Sequence, residues 1–337
     1  MSIEKLLDLS TGSAELLRLP LPGIPLKYVN VYLVRDGTYE GLVDAGMFSM
    51  ASMHSLLSGL RRSGSNLCDL DLVIVTHFHV DHLSLLPSIL EASRAEAYMG
   101  ARDARLVDSG ATAFINRVLR LYQKHGMPEE ELRAISRAHP LMRLSEVYLK
   151  LIPSLEIKPL NDGDRIDIGS IKLRVVSTPG HTPGSIILVH EDTGAAFTGD
   201  TLLPRITPHI ILYDEESDPL GKYLNTLRRI MELNLTVALP GHGEPIKNPS
   251  ERAREILEFH EERLKSIVDL LSNGAATAHE IARKLKWRVR YNSWEEYPPP
   301  EKFFAMGEAL AHLKYLKLQG IVDYYEERGV KYWYLTR

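Results

Sequence analysis

A single cysteine, Cys68, in a chain of 337 residues excludes an internal disulfide framework and fits a reducing compartment. It sits in Asn66-Leu67-Cys68-Asp69, away from any histidine-rich stretch, and reads as a partly buried structural thiol. No apolar run approaches the roughly 20 residues that a membrane-crossing helix needs. Met1 to Asp8 lacks the charged stretch and long apolar run of a secretion signal. The expectation is a soluble, cytoplasmic protein without a membrane partner. Neither sign of charge dominates: a formal net charge of −4 argues against a surface governed by basic residues, while leaving room for a local basic patch. Internal repeats and low-complexity tracts are lacking as well. What is present is ordinary globular usage, 44% apolar and 25% charged, which supplies a well-buried core. The length allows one large domain or two of moderate size, and two is the better reading.

Short apolar runs at Tyr28 to Val34, Gly41 to Gly46 and Leu70 to Val75 are bounded by Gly, Pro, Asp or Asn and read as strands with tight turns. Between the second and third, Met50, Met53, Leu56, Leu57 and Leu60 recur at helical spacing. Strand, helix and strand in alternation predict a layered α/β core. From Ala101 to Leu151 the pattern turns helical, with Phe114, Ile115, Val118, Leu119 and Tyr122 on one stripe and Met127-Pro128-Glu129-Glu130-Glu131 opening another helix. This insertion either packs on the core or borders the site entrance as a lid that admits small or flexible substrates. Strands return at Ile166 to Ile168, Ile171 to Val176, Ser185 to Val189, Ala195 to Thr198 and Thr236 to Leu239, and a helix through Leu220 to Leu233 separates the last two.

Chemistry concentrates in Thr76-His77-Phe78-His79-Val80-Asp81-His82, directly after the apolar run Asp71 to Val75. At a strand end, alternation places His77 and His79 on one side, so both imidazoles can reach one metal. Where the chain turns toward the next helix, Asp81 and His82 can face a neighbouring metal. Three further ligand candidates each lie in a loop after a predicted strand: His181 in Thr178-Pro179-Gly180-His181-Thr182-Pro183-Gly184-Ser185, Asp200 in Thr198-Gly199-Asp200-Thr201, and His242 in Pro240-Gly241-His242-Gly243. The surrounding Gly and Pro permit sharp turns that bring these side chains to a common edge. A lone histidine in such a loop is usually a solvated turn residue, but four ligand-type residues at the spacing of 77 to 82 rarely coincide without a metal. Imidazole and carboxylate donors suit zinc, and also iron or manganese. His54, His125, His139, His190, His260, His279 and His312 read as surface or packing residues. His209, close after Asp200, is a candidate for substrate contact.

In that order, Thr76 to His82, Thr178-Pro179-Gly180-His181, Thr198-Gly199-Asp200 and Pro240-Gly241-His242-Gly243 resemble the metallo-β-lactamase superfamily over about Leu16 to Asn248. The resemblance implies an αββα sandwich with a helical insertion over about 101–151. It implies two divalent metal ions, zinc first, with His77, His79 and His181 on one, Asp81, His82 and His242 on the other, and Asp200 bridging. Asp44, in Leu42-Val43-Asp44-Ala45-Gly46, matches an early strand-end motif and would buttress a ligand histidine.

Two metals sharing Asp200 would hold a bridging hydroxide at neutral pH, with Asp81 placed as the catalytic residue that orients it or accepts its proton. That machinery serves esters, thioesters, lactones, β-lactams and phosphodiesters alike. The expected function is therefore a dinuclear hydrolase of an ester, thioester or similar small molecule. The alternatives are phosphodiester hydrolysis of the endoribonuclease kind, a mononuclear iron oxidoreductase resembling persulfide dioxygenases, and a winged-helix protein for nucleic-acid binding or dimerisation. His79 stands where flavodiiron oxidoreductases carry an acid, which disfavours oxygen reduction. Leu202-Leu203-Pro204 lacks the tyrosine that quorum-quenching lactonases place shortly after the bridging aspartate. The Thr178 to Ser185 turn resembles glyoxalase II, whose glutathione-binding helical region has no counterpart in this tail.

After Lys247-Asn248-Pro249 the composition shifts. A helix from Glu251 to Leu271, a short helix from Ala278 to Leu285 capped by Thr277, a helix from Glu301 to Gln319 and a hairpin through Ile321 to Leu335 describe a winged-helix-like domain over 249–337, following a catalytic domain over 1–248. Glu280-Ile281-Ala282 and Leu310 to Leu316 resemble the tail of the lactamase-beta-2-like branch, which includes endoribonucleases. Arg283, Lys284, Lys286, Arg288 and Arg290 cluster there as phosphate-neutralising residues would, although Glu295, Glu296, Glu326 and Glu327 nearby suit an ordinary solvated face. The aromatic hairpin, with Tyr324, Tyr325, Tyr332, Trp333 and Tyr334, predicts packing on the catalytic domain or a homodimer contact.

Overall fold

In the computed structural model, residues 4–9, 11–23, 26–108, 111–138, 154–287 and 291–336 are described. The apolar runs build two sheets. The first holds β1 (Glu4–Leu9), β2 (Gly12–Pro20), β3 (Tyr28–Arg35), β4 (Glu40–Val43), β5 (Leu72–Val75), β6 (Glu96–Gly100) and β7 (Ile157–Leu160), side by side in chain order. Its first three pairings are antiparallel and its last three parallel. The second sheet runs β12 (Val237–Pro240), β11 (Ala195–Gly199), β10 (Ile186–His190), β9 (Ile171–Ser177), β8 (Arg165–Ile168), and only its β11–β12 pair is parallel.

The period of two along each strand sorts side chains into layers. Val43 and Ile74 from one sheet meet Val175, Leu188, Phe197 and Leu239 from the other in a core between the sheets. Their chain neighbours Leu42, Val73 and Val75 face outward against α1 (Met50–Arg62) and α3 (Leu86–Ala92), through Leu56, Leu60, Leu86 and Ile89. Val176, Ile187, Ala196 and Ala238 face outward on the second sheet against α7 (Pro219–Glu232). Both faces of each sheet are thus covered, which is why Leu72 to Val75 reads as an unbroken buried run rather than as alternation. The αββα sandwich expected from the motifs is the architecture found.

Between His79 and β7 also lie α2 (Val80–Leu83), α4 (Ala101–Asp108), α5 (Ala111–Lys124) and α6 (Glu129–Ala138). Ile115, Val118 and Tyr122 of the expected apolar stripe are buried in one cluster with Phe303, Met306 and Leu310 of the tail, and the Tyr122 hydroxyl donates to the Phe303 carbonyl at 3.0 Å. The described part of the insertion is therefore a packed wall that joins the tail to the sandwich. The Phe114 side chain, His139 and the remainder of the insertion from 139 to 151 lie outside the described residues.

The tail contains α8 (Pro249–Leu271), α9 (Ala278–Lys284), α10 (Pro299–Leu318) and a hairpin of β13 (Val322–Glu327) and β14 (Val330–Leu335), with Ala276 bridging Trp333. Thr277 caps α9 as expected, in a reciprocal box with Glu280. Ile256, Ile267, Ala309, Leu313 and Trp333 belong to the same apolar cluster as Leu224 and Leu227 of α7, so the tail shares the core of the second sheet's outer layer. Cys68 departs from expectation: it is exposed, with its thiol directed to the Ala92 carbonyl at 3.4 Å, because the short turn Leu67–Asp69 buries Leu67 instead. Among the described residues no helix is long and apolar enough to cross a membrane.

One half-buried carboxylate ties α6 to the tail. Glu131 accepts from Trp294 Nε1 at 2.9 Å, Lys302 Nζ at 3.0 Å and His279 Nε2 at 3.0 Å. Burial works against its charge, but these three donors outweigh it and hold the carboxyl down at about 2. A depressed carboxylate contributes stability that is full above its unfolded value near 4.5 and is lost as pH falls toward 2. Glu131→Gln is expected to cost on the order of 2 kcal/mol at pH 7 and much less at pH 2.5, measured by urea unfolding at both pH values. An equal deficit at the two would show that the charge is not what matters.

Candidate metal centre

Four loops converge at one edge of the sandwich. The first follows β5, where Thr76 and His77 leave the strand and His79 begins α2. The others follow β9, β11 and β12 and carry His181, Asp200 and His242. Cross-sheet bonds fix the last loop: Asn30 Nδ2 donates to the carbonyls of Pro240 and Gly243 at 2.9 and 2.8 Å, and the Tyr32 hydroxyl donates to Pro240 at 2.7 Å. Gly241 is required here, since a Cβ would press on Asp200 Oδ1 and His82 Cε1.

Each histidine has one ring nitrogen committed to the protein. His181 Nδ1 and His242 Nδ1 lie 2.8 Å from the carbonyls of His209 and Tyr28, which only accept, so both must be N–H donors. His82 Nδ1 is 2.8 Å from Asp44 Oδ2. The Thr76 hydroxyl donates to Asp44 and is left to accept from His77 Nδ1 at 3.1 Å. The opposite nitrogens are directed at one another. His82 Nε2, His181 Nε2, His242 Nε2 and Asp200 Oδ1 are buried without a hydrogen-bond partner among the described residues. Buried polar atoms are rarely orphaned, so this group calls for an ion.

The spacings fit one. His77 Nε2 and His79 Nδ1 are 3.2 Å apart, Asp81 Oδ2 and His242 Nε2 3.2 Å, and His82 Nε2 and Asp200 Oδ1 3.5 Å. Donors about 2.0–2.1 Å from a tetrahedral zinc stand about 3.3 Å from each other. Asp200 Oδ2 lies 3.7 Å from His181 Nε2 and 3.5 Å from His242 Nε2, so one carboxylate reaches both groups. His77, His79 and His181 form one candidate triad and Asp81, His82 and His242 another, each with donor atoms within 4.8 Å. All seven residues expected from the sequence are therefore brought together, with Asp44 beneath them.

Electrostatics divides the site. Burial, and then the neighbouring imidazoles, hold His77 and His79 well below the usual histidine range, and burial lowers His181 too. Neutral rings of this kind are ready ligands. Burial also opposes charge on His82, but Asp44, Asp200 and Asp81 outweigh it and raise the group. Asp200 is held well below the carboxylate range because His242 and His82 overcome its burial.

Asp103 and Tyr213, which carried no sequence signal, complete the support together with His209, the candidate for substrate contact, which serves here through its carbonyl. Asp103, in the first turn of α4, accepts from the backbone of Phe78 at 3.0 Å, the Thr182 hydroxyl at 2.6 Å and the backbone of Gly184 at 2.6 Å, linking the loops of His79 and His181. Burial pushes its carboxyl up to about 7 despite these donors. The Tyr213 hydroxyl stands 3.4 Å from His79 Nε2 and from the His181 carbonyl. The His209 ring stacks on Phe304, 4.2 Å between centroids, while its carbonyl serves His181.

Comparison with known proteins identifies the family. Residues 24–242 match the model of the metallo-beta-lactamase superfamily. The chain is 28% identical over 333 residues to the Probable metallo-hydrolase YqjP of Bacillus subtilis, covering 96% of this chain and 98% of that one. It is 22% identical over 281 residues to the Atrochrysone carboxyl ACP thioesterase of Aspergillus fumigatus, covering 80% and 71% of the two chains. The crystal structure of a metallo-beta-lactamase family protein from Thermus thermophilus superposes with a TM-score of 0.79 at 29% identity, over 96% of this chain and 98% of that one.

Proposed function

This chain belongs to the metallo-β-lactamase superfamily, and from that premise we propose that it is a metal-dependent hydrolase that holds two divalent ions, zinc first, and cleaves an ester or thioester of a small molecule. The observation that carries the reading is the set of buried, unpartnered atoms His82 Nε2, His181 Nε2, His242 Nε2 and Asp200 Oδ1, each aimed at the same space. A relative named as a thioesterase favours thioesters among the candidate substrates.

In this reading His77, His79 and His181 hold one ion and Asp81, His82 and His242 the other, with Asp200 reaching both. Such ions acidify water toward neutral pH and polarise the carbonyl under attack. The protein's share is orientation and proton handling. Asp44 and the carbonyls of Tyr28 and His209 fix the imidazoles through their far nitrogens. Asp81 is the more open of the two carboxylates proposed as ligands, 16% exposed against 10% for Asp200. Its Oδ1, the oxygen not engaged at His242, accepts the proton of the attacking water.

We read 1–248 as the catalytic unit and 249–337 as a winged-helix-like unit, on the order of three helices and a hairpin. The shared apolar cluster supports a fixed wall rather than a free wing. In the basic cluster, Arg283 is paired with Glu295 at 2.6 Å, which favours a solvated face over a nucleic-acid surface; Arg288 and Arg290 lie outside the described residues.

The test is a substrate panel with zinc-reconstituted and chelator-stripped protein. Hydrolysis of acyl thioesters or aryl esters is expected, lost with the metal and recovered on adding zinc. Cleavage of phosphodiesters or RNA with no thioester or ester turnover would replace this reading with the nuclease one.

A further inference from the structure

The segment from Ile206 to Tyr213 supports the three-imidazole set twice, through the His209 carbonyl on His181 Nδ1 at 2.8 Å and the Tyr213 hydroxyl 3.4 Å from His79 Nε2. From Thr207 to Tyr213 it has neither helix nor strand of its own, so its position is set by what packs on it. One turn of α10 does so. The Gly307 carbonyl accepts from Leu212 N at 3.2 Å, and the missing side chain lets the helix lie flush, since a Cβ there would collide with Ile211 and the Tyr122 hydroxyl. Phe304 stacks on the His209 ring with 7° between the planes, and Glu308 Oε2 lies 3.6 Å from His209 Nδ1. Positions 304, 307 and 308 share one helical face.

Glu308 is itself locked. Its Oε1 accepts from Arg263 Nη1 at 2.6 Å, in a pair 3% and 6% exposed. The guanidinium is held over Trp287 at 4.1 Å and Phe259 at 4.6 Å. A buried ion pair contributes little net stability over apolar packing, so what it supplies is a fixed position. His260 and His312 stand beside Glu308 with donor atoms within 4.8 Å. Their rings bond each other at 3.1 Å and Arg263 occupies the carboxylate, which argues for a brace here and against a third ion.

We propose that α10 braces the metal centre: Phe304, Gly307 and Glu308 hold the His209 carbonyl against His181, making Glu308 and His209 positioning residues for the first ligand set. This rests on His77, His79 and His181 being ligands. A residue that orients a ligand histidine changes metal affinity about 10- to 100-fold when removed.

The experiment titrates Co²⁺ alone into metal-free full-length protein and follows the visible d–d bands of the two bound equivalents, with thermal unfolding of the metal-free protein alongside. His209→Ala and Glu308→Gln are expected to weaken one equivalent about tenfold and shift its bands, leaving the other unchanged. His209→Phe, which keeps the stack on Phe304, recovers part of the loss. Equal weakening of both equivalents in step with a lower melting temperature would reduce the brace to general stability and overturn the proposal. Unchanged affinity in both variants would overturn it too. Parent protein that takes up no Co²⁺ would remove the ligand assignment itself, a distinct outcome that ends both readings.

Discussion

Asp200→Ala is expected to lower thioester or ester turnover about a thousandfold, because about 4 kcal/mol of transition-state charge stabilisation corresponds to three decades in rate. Among the described residues, Asp200 is the carboxylate that reaches both groups of imidazoles, 3.7 Å from His181 Nε2, 3.5 Å from His242 Nε2 and 3.5 Å from His82 Nε2. With two divalent ions bound as proposed, its loss would leave the imidazoles and Asp81 to face both charges with one carboxylate between them. The loss should therefore appear in kcat and in metal content together, read from steady-state kinetics and from elemental analysis after gel filtration. Asp200→Asn keeps the shape and tests the charge alone. A variant with two metal equivalents and near-parental kcat would show that Asp200 does not bridge.

Asp44→Ala should do its damage from beneath. The carboxylate is 1% exposed and accepts four contacts: Thr76 N at 2.8 Å, the Thr76 hydroxyl at 2.9 and 3.1 Å, and His82 Nδ1 at 2.8 Å. Alanine leaves these buried donors unsatisfied, at about 1–3 kcal/mol each for the groups that find no water. The backbone adds to the cost, since residue 44 has a φ of 66°, a conformation that aspartate tolerates better than alanine. A total of about 3–5 kcal/mol corresponds to a melting-temperature drop of roughly 5 °C in a chain of this size. Metal affinity should fall about 10- to 100-fold as His82 loses its orientation. Calorimetry and metal competition measure the two, with His54→Ala, an exposed site, as control. An Asp44→Ala protein that binds metal like the parent would leave His82 oriented by something else.

The candidate ligands were legible because their signal is local. His77 to His82 crowd four donor-type residues into six positions after an apolar run, and His181, Asp200 and His242 each sit in a Gly/Pro turn that only a strand end needs. The supporting residues were not. Asp103 opens a helix with an ordinary acidic first turn, and its partners stand about 25 and 80 positions away. The groups that orient His181 and His242 are backbone carbonyls, which every residue type has. Among the strands, β2 escaped because its central residues are buried on both faces and show no period.

By itself, then, the sequence determined which side chains are candidates for the chemistry and the αββα order that brings them together, because motif and apolar period are properties of neighbours along the chain. Tertiary structure alone decided which nitrogens of His82, His181 and His242 are free, that one carboxylate reaches both groups, and that His209 and Glu308 meet across 99 positions. It also turned the insertion's stripe toward α10 and left Cys68 at the surface. Those outcomes depend on distances between segments that fold from opposite ends of the chain, and no local pattern encodes a distance.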